Sequence, residues 1–238
     1  MNWVEGRTIT KVSIPLTRVC NRSCPDCGVR RTLTWFDKGI TEKEVPLDEL
    51  MWVGQQLGHL ESVEFAGGEP TLHSQFATLA ERVGDMFDCH HFMLVTNGLI
   101  AKQPERLHLL KKFQSIYVSH YTEAFAANYP GQRPNTTEVN TIREYCEANG
   151  IPLWIQGWNK HTPYVDGPFD INRCSQPYSN QLGYYERRLY GCCVAYALEK
   201  KGNSIPLTLD WRDHLPELTT PCDTCFGSQG IRLDWLAR

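Results

Sequence analysis

Three features that would place a protein in a membrane, outside the cell or on a nucleic acid are missing from this chain. No apolar run approaches the ~18 residues that a membrane-spanning helix needs. The chain opens Met-Asn-Trp-Val-Glu-Gly-Arg, without the apolar segment of a secretion signal. Its net charge is −3, so no basic excess favours a nucleic acid or an anionic surface. These absences predict a cytoplasmic protein without a membrane partner, and a nucleic-acid substrate would need a local basic patch.

Internal repeats and low-complexity tails are also lacking, whereas cysteine is abundant. The 238 residues are 41% hydrophobic, which is enough for one domain with a real core and a small appendage. Ten cysteines in a secreted protein would suggest disulfides. Since no secretion signal is present, we predict that most of them are reduced metal ligands. Cys89 and Cys146 are predicted to be ordinary buried thiols.

Residues 20–27, Cys-Asn-Arg-Ser-Cys-Pro-Asp-Cys, place three cysteines in a CxxxCxxC spacing. Such a loop can surround one 4Fe–4S cluster and bind three of its irons, which leaves the fourth iron open to a small molecule. The alternative is a partial zinc site, but structural zinc usually has four protein ligands arranged in two pairs. We therefore predict that Cys20, Cys24 and Cys27 bind an open 4Fe–4S cluster.

Three segments together resemble the radical S-adenosylmethionine (SAM) superfamily. They are Thr17-Arg18-Val19-Cys20-Asn21 before the cluster loop, Gly67-Gly68-Glu69-Pro70, and Thr96-Asn97-Gly98. The resemblance implies that the Gly67–Pro70 segment holds the methionine amino group of SAM, with Glu69 as an acceptor. It also implies that Thr96 and Asn97 belong to the SAM site and that Ser119 meets the ribose. One departure is Asp26, because the family usually has an aromatic residue there against the adenine.

Apolar patterning predicts alternating strands and helices with about 30 residues per unit. The predicted strands cover 9–19, 62–66, 92–95, 115–119 and 152–158, and the predicted helices cover 46–60, 74–86, 104–113 and 136–150. This alternation favours an α/β fold with a parallel sheet and right-handed crossovers. The motifs follow strand ends, which form the active face of β/α barrels. We predict a partial (β/α)6-type TIM barrel over 1–165, although 160–172 gives no clear sixth strand.

The fifth predicted strand has two different faces. Trp154, Gln156 and Trp158 share one face, while Leu153 and Ile155 share the other. The polar and aromatic face is predicted to form a cofactor or substrate wall, with Gln156 in the cofactor site. The alternative is that this face packs against the C-terminal segment.

Residues 166–238 are predicted to form a small cysteine-rich appendage that covers the open side of the barrel. It contains a predicted hairpin over 182–190, and a CxxC pair follows near its end. Its pattern resembles the "twitch" appendage of some radical SAM enzymes, which implies an auxiliary 4Fe–4S cluster, although four thiolates would also suit zinc. Cys193 competes with Cys192 for one position, and Cys192 matches the motif. The predicted ligands are Cys174, Cys192, Cys222 and Cys225.

The resemblance implies an enzyme in which the reduced first cluster cleaves SAM and yields a 5′-deoxyadenosyl radical. That radical takes a hydrogen atom from a small-molecule substrate, and a flavodoxin or ferredoxin would supply the electron. An auxiliary cluster could accept a second electron, so we predict a net two-electron oxidation such as alcohol to ketone. An amino-sugar dehydrogenase bears the same kind of appendage. Candidate groups for the hydroxyl proton are His120, Arg30 and Arg31.

Three alternatives remain open at this stage. Peptide crosslinking or epimerisation usually needs an added leader-binding domain, for which 238 residues leave no room. Modification of a nucleotide or nucleic-acid base would need a stripe of lysine and arginine near the barrel mouth. A two-cluster electron carrier would have no use for a SAM site. The sequence identifies neither the substrate nor the oligomeric state.

Overall fold

One mixed sheet organises the protein. The computed structural model describes residues 9–24, 27, 44–158, 181–185, 187–191 and 204–218. Within these residues eight strands form a single sheet in the order β5-β4-β3-β2-β1-β6-β7-β8. The strands are β1 (Lys11–Thr17), β2 (Leu60–Gly67), β3 (Cys89–Thr96), β4 (Ser115–Tyr121), β5 (Leu153–Trp158), β6 (Gln181–Tyr185), β7 (Arg188–Tyr190) and β8 (Ser204–Pro206).

The first five strands confirm the parallel α/β pattern. β1 to β5 lie side by side in chain order, and each neighbouring pair is parallel. Parallel neighbours need a crossover connection, which the intervening helices provide. All five strand C-termini therefore meet at one edge of the sheet. This arrangement is consistent with the partial barrel of a radical SAM enzyme.

Four α-helices lie in the described residues, and their ends follow local sequence signals. They are α1 (Leu47–Leu57), α2 (Phe76–Met86), α3 (Glu123–Asn128) and α4 (Thr136–Asn149). α1 ends before Gly58 and α4 before Gly150, with φ values of 62° and 66° that favour glycine. The short helix α3 was not predicted, and it begins where the Thr122 hydroxyl accepts a bond from the Phe125 N–H at 3.2 Å.

The third predicted helix is a 3₁₀ helix over Pro104–Lys112 and not an α-helix. Leu107, Leu110 and Phe113 are buried and recur every three residues, which matches the three-residue turn of a 3₁₀ helix. Three further 3₁₀ helices occur within the described ranges, at Pro70–Leu72, Leu99–Lys102 and Trp211–Glu217.

The two faces of the sheet differ. On β1, the side chains of Val12, Ile14 and Leu16 are fully buried and belong to the core that the helices complete. Alternate residues point the other way, and we name that side of the sheet the inner face. Ser13 and Pro15 of the inner face pair in register with Glu64 and Ala66 of β2. On β5, the predicted alternation is confirmed because Leu153 and Ile155 pack on the core while Trp154 is 52% exposed.

The described C-terminal residues extend the sheet beyond β1. β6 and β7 form the antiparallel hairpin predicted over 182–190, and Arg187 in its turn has a φ of 58°. β6 pairs in parallel with β1, so the hairpin lies at the β1 edge of the sheet. We had expected this region to cover the open side of the barrel, but its described part continues the sheet instead. Residues 160–172 and the four predicted ligands of the appendage lie outside the described residues.

Candidate active site

A cavity of about 330 Å³ lies where β2, β3 and β4 end and the cysteine loop begins. This volume is at the lower end of the range for small-molecule sites. Its walls combine thiols, glycines, small apolar side chains and a few polar groups. The lining residues are Arg18, Cys20, Arg22, Ser23, Cys24, Cys27, Ala66, Gly67, Gly68, Val95, Thr96, Asn97, Ser119 and Tyr121.

The three cysteines of the loop are free thiols that line this one cavity. Burial raises the pKa of Cys24, and desolvation raises the pKa of Cys20 to about 11. Metal ligation requires the thiolate, so a bound cation would have to offset this cost. Within the described residues no three His, Cys, Asp or Glu side chains converge on a single metal ion. A cluster fits better than a mononuclear metal, because each thiolate then binds a different iron.

Gly67 and Gly68 are required by close contact with the chain that enters the cysteine loop. A Cβ on Gly68 would lie 2.3 Å from the Val19 carbonyl oxygen, and Gly67 has a φ of 128°. The Gly68 N–H donates to the Thr17 carbonyl at 2.6 Å, and the Glu69 N–H donates to the Val19 carbonyl at 2.8 Å. The end of β2 is therefore bonded directly to the segment that presents the first cysteine.

Glu69 joins the end of β2 to the turn after β3. Its fully buried carboxylate accepts bonds from the Thr71 hydroxyl at 2.6 Å, the Thr96 hydroxyl at 2.7 Å and the Asn97 N–H at 2.7 Å. Burial raises the pKa of Glu69, whereas these donors oppose the rise. Pro70 follows as the first residue of a 3₁₀ helix. Contact of Glu69 with the methionine amino group stays a prediction, and the structure gives this carboxylate an anchoring role.

Asn97 and Asn135 fix the ends of β3 and β4. The Asn97 side-chain amide donates to Asn21 Oδ1 at 2.7 Å and lies 3.7 Å from Cys20 Sγ. The Asn135 amide donates to the Asn97 carbonyl at 2.6 Å and to the Ser119 carbonyl at 2.9 Å. Sequence analysis missed Asn135, although an asparagine directly before a predicted helix is a recognisable capping signal.

Arg22 and Tyr121 support the cysteine loop from the β4 side. The Arg22 guanidinium carbon lies 4.1 Å from the centre of the Tyr121 ring, and Nη1 donates to the Arg133 carbonyl at 2.7 Å. The Tyr121 side chain is hydrogen-bonded to Cys24, and burial raises the pKa of Tyr121 well above its usual value. Gln132 adds a bond to the Ser23 hydroxyl at 2.9 Å. Sequence analysis missed Tyr121, which brings an aromatic ring to the cavity wall.

The remaining predicted site residues fall in different places. Ser119 lines the cavity, whereas His120 points away along the alternation of β4 and its Nε2 lies 3.0 Å from the Thr136 hydroxyl. Gln156 pairs in register with Ser119, and its Oε1 accepts from the Tyr117 hydroxyl at 3.5 Å. The structure therefore brings Ser119 to the cavity and does not bring His120 there. Arg30 and Arg31 lie outside the described residues.

Comparison with known proteins identifies the class of this site. The family model described as the Radical SAM superfamily matches residues 14–148, which is more than half of the chain. The chain therefore belongs to the radical SAM superfamily and is an enzyme. Membership implies a 4Fe–4S cluster and SAM as cofactors, and the three thiols of the cavity are a suitable ligand set.

Two curated relatives each match less than half of the chain. The GTP 3′,8-cyclase of Streptomyces coelicolor is 30% identical over 94 residues, which is 40% of this chain and 28% of that protein. The S-adenosylmethionine-dependent nucleotide dehydratase of Selenomonas ruminantium is 27% identical over 114 residues, which is 46% of this chain and 38% of that protein. The chain thus spans well under half the length of these relatives.

The fold extends further than the sequence match. The crystal structure of BtrN in complex with AdoMet and 2-DOIA superposes with a TM-score of 0.57 at 11% identity, covering 88% of this chain and 82% of BtrN. An open conformation of BtrN gives a TM-score of 0.50 at 12% identity. At this identity the likeness shows the fold alone. No helix in the described ranges is long and apolar enough to cross a bilayer.

Proposed function

We propose that the protein is a SAM-dependent radical dehydrogenase that oxidises a small-molecule alcohol by two electrons. The observation that carries the proposal is the cavity in which three free thiols meet the glycine-rich end of β2 and the Thr96-Asn97 turn. The strand C-termini leave a cavity beside the loop with three thiols. A cavity in this position could hold SAM in contact with a cluster bound to those thiols. The parallel sheet places all these groups at the edge where β/α folds bind their ligands.

Different residues of the chain would bind the cluster, the methionine end of SAM and its ribose. Cys20, Cys24 and Cys27 would hold the cluster, and the Gly67–Pro70 segment would receive the methionine end of SAM. Ser119 lies on the wall of the same cavity, in reach of a ribose. When bound, the reduced cluster supplies the electron that cleaves SAM to methionine and a 5′-deoxyadenosyl radical.

Part of the cavity wall is free of groups that could give a hydrogen atom to a radical. Ala66 and Val95 present small, unreactive side chains to the cavity. Thr96 and Asn97 are buried; bonds to Glu69 and Asn135 fix the Asn97 backbone, and the Thr96 hydroxyl donates to Glu69. Rigid walls of this kind keep water away and hold the reacting C–H bond in place.

The proposed oxidation balances with one hydrogen atom, one proton and one electron. The secondary alcohol gives its carbon-bound hydrogen atom to the radical, which forms 5′-deoxyadenosine. The hydroxyl proton and one further electron then leave, and the product is a ketone. We propose that Cys174, Cys192, Cys222 and Cys225, within an appendage over 166–238, would hold an auxiliary 4Fe–4S cluster, which would supply the acceptor for this electron. The β6–β7 hairpin, which lies between Cys174 and Cys192 in the sequence, supports this arrangement.

Iron, sulfide and SAM cleavage test the proposal together. Anaerobically reconstituted protein should contain about eight irons, as two 4Fe–4S clusters require. After reduction with dithionite it should convert SAM to 5′-deoxyadenosine. Pools of deuterated alcohols should transfer deuterium into that product and yield ketones. Stoichiometric zinc in place of the second cluster, or SAM that is regenerated each turnover, would contradict the dehydrogenase.

A nucleotide substrate is the second candidate, and the named relatives are the observation that favours it. Both curated relatives carry names that refer to nucleotides. The same deuterium-transfer assay distinguishes the two candidates when ribose-deuterated nucleotides replace the alcohol pool. In that case the product would be a rearranged or dehydrated nucleotide and not a ketone.

A further inference from the structure

A second polar layer lies on the inner face, one step below the cavity. Glu64 stands two residues before Ala66 on β2, and Tyr117 stands two residues before Ser119 on β4; Ala66 and Ser119 both line the cavity. Residues two apart on a strand share a face and are separated by about 7 Å. Glu64 and Tyr117 therefore point to the same side as the cavity walls, about 7 Å further from the strand C-termini.

The carboxylate of Glu64 accepts fewer hydrogen bonds from the described residues than a carboxylate can accept. The Ser13 hydroxyl donates to Oε1 at 2.7 Å, and the Gln181 side chain supplies a second bond. An ionised carboxylate can accept about four hydrogen bonds, and among the residues that the structure describes these two side chains fill about half of this capacity. Burial raises the pKa of Glu64, whereas Lys11 on the same face opposes the rise and favours the ionised form.

Tyr117 belongs to the same layer. Burial and the charge of Glu64 raise the pKa of Tyr117 to about 12, so its hydroxyl keeps its proton. That hydroxyl lies 3.5 Å from Gln156 Oε1, which is a long hydrogen bond. Trp154 pairs in register with Tyr117 and is half exposed on the inner face. A carboxylate on β2, a phenol on β4 and an indole on β5 thus stand on this face, with Met93 and Val95 of β3 between the first two.

A purely structural role explains this layer poorly. The bonds from Ser13 and Gln181 link β2 to β1 and β6, but a neutral glutamine at position 64 could accept bonds through its amide oxygen. Burying a charge costs far more than burying an amide. The carboxylate is useful if it meets a hydrogen-bond donor beyond those that the described residues provide.

We propose that Glu64 and Tyr117 form the floor of the substrate site and bind a hydroxyl or ammonium group of the substrate. The C–H bond to be broken then lies in the cavity above, about 7 Å away along the strands. This spacing suits a compound with one six-membered ring that carries a donor group opposite the reacting carbon. The inference rests on the proposed function only in taking the cavity as the SAM site.

Binding to the unreduced enzyme tests the floor without any turnover. The protein is reconstituted with iron and sulfide and saturated with SAM, and no reductant is added. The probes are trans-4-aminocyclohexanol and 1,4-cyclohexanediol, with cyclohexanecarboxylate as the probe of opposite charge. Titration calorimetry measures the dissociation constants for wild type, Glu64→Gln, Tyr117→Phe and the control Glu61→Gln, which changes an exposed glutamate of the same strand.

We expect the wild type to bind the amino alcohol and the diol and to reject the carboxylate. Glu64→Gln should raise the dissociation constant of the amino alcohol at least tenfold and that of the diol by less. Tyr117→Phe should raise both dissociation constants about threefold. Glu61→Gln should bind as the wild type does. The floor is refuted if the wild type binds neither donor probe, or if both Glu64→Gln and Tyr117→Phe bind them unchanged. Dithionite-driven SAM cleavage is then measured separately, since its absence in the wild type would refute the proposed function and not the floor.

Discussion

Two cavities of about 330 Å³ share a wall formed by Arg22, Ser23 and Asn97, and their linings differ. The first is the candidate active site, where thiols meet Ala66, Val95 and the paired glycines. The second is lined by charged and amide side chains that include Lys102, Gln132, Arg133 and Glu138. The wall between them is the cysteine loop itself together with the turn after β3.

This difference shows how the fold supports the loop without filling the reactive site. Bonds to Arg133 and Gln132 reach Arg22 and Ser23 from the polar side. Glu69 anchors the Asn97 turn from within the core. Arg18 and Arg22 also line the first cavity, so the contrast is between a wall of thiols, glycines and small apolar side chains and a wall in which amides and the Lys102–Glu138 ion pair predominate. The four predictions below test this contrast.

Removal of a cluster thiol should have the largest effect. In Cys24→Ala, one of the three cavity thiols is lost, and we expect the first cluster and SAM cleavage to fall below detection. Cys146→Ala is the control, because Cys146 is fully buried in α4 as an ordinary core thiol. Iron analysis and 5′-deoxyadenosine formation provide the measurement. Full activity in Cys24→Ala would exclude this cavity as the cluster site.

Loss of the Glu69 anchor should have the next largest effect. Glu69→Ala would leave the buried hydroxyls of Thr71 and Thr96 and the Asn97 N–H without their acceptor. We expect the free energy of unfolding to fall by about 3 kcal/mol, since unpaired buried donors are costly. Urea denaturation measures this change, and Glu61→Ala, at an exposed residue near the start of β2, should change it by less than about 0.5 kcal/mol. Equal stability of the two variants would contradict the anchoring role.

Removal of the Tyr121 hydroxyl should change the redox properties more than the stability. Hydrogen bonds to the thiolates are among the features that set the potential of an iron–sulfur cluster. In Tyr121→Phe we expect the midpoint potential of the first cluster to become more negative. The expected shift is on the order of 59 mV, which corresponds to a tenfold change in the equilibrium constant of a one-electron couple. A redox titration followed by EPR measures the shift, with Tyr145→Phe on α4 as the control. An unchanged potential would show that the bond to Cys24 does not reach the cluster.

Changes on the polar side of the wall should have the smallest effect. Lys102 Nζ lies 3.0 Å from Glu138 Oε1, and the lysine side chain is 63% exposed. Exposed ion pairs contribute about 0–1 kcal/mol, so Lys102→Met should change stability by less than about 1 kcal/mol. SAM cleavage by the reduced protein should stay within about twofold of the wild type. A strong loss of cleavage would mean that the second cavity belongs to the reactive site.

The elements and their order followed from the sequence, because apolar alternation and the turn motifs are local signals. The strands, the helices and the hairpin over 182–190 lie close to their predicted positions. The 3₁₀ helix at Pro104–Lys112 was misread, since buried residues every three positions resemble a helical pattern in a short window. The motif segments resembled a known family, and that resemblance correctly identified the superfamily.

The supports of the site could not be predicted, because they join residues distant in the chain. The contact of Arg22 with Arg133 spans 111 positions, and the bond between Ser13 and Glu64 spans 51. Glu64 and Tyr117 reach the same face of the sheet only because the strand pairing aligns the alternation of β2, β3 and β4. His120 illustrates the same limit, since its side of β4 depends on the exact phase of the alternation. His120 directly follows Ser119 on β4, so its side chain points to the opposite face while Ser119 reaches the cavity.

The central claim is that one iron of the first cluster is left without a protein ligand so that SAM can bind it. EPR spectra of the reduced, reconstituted protein with and without SAM, including SAM labelled with ¹⁷O in its carboxylate, test this claim most directly. We predict that SAM changes the spectrum and that the label broadens it. Identical spectra from protein that carries the intact cluster would show that the fourth iron is already occupied, and would contradict the account.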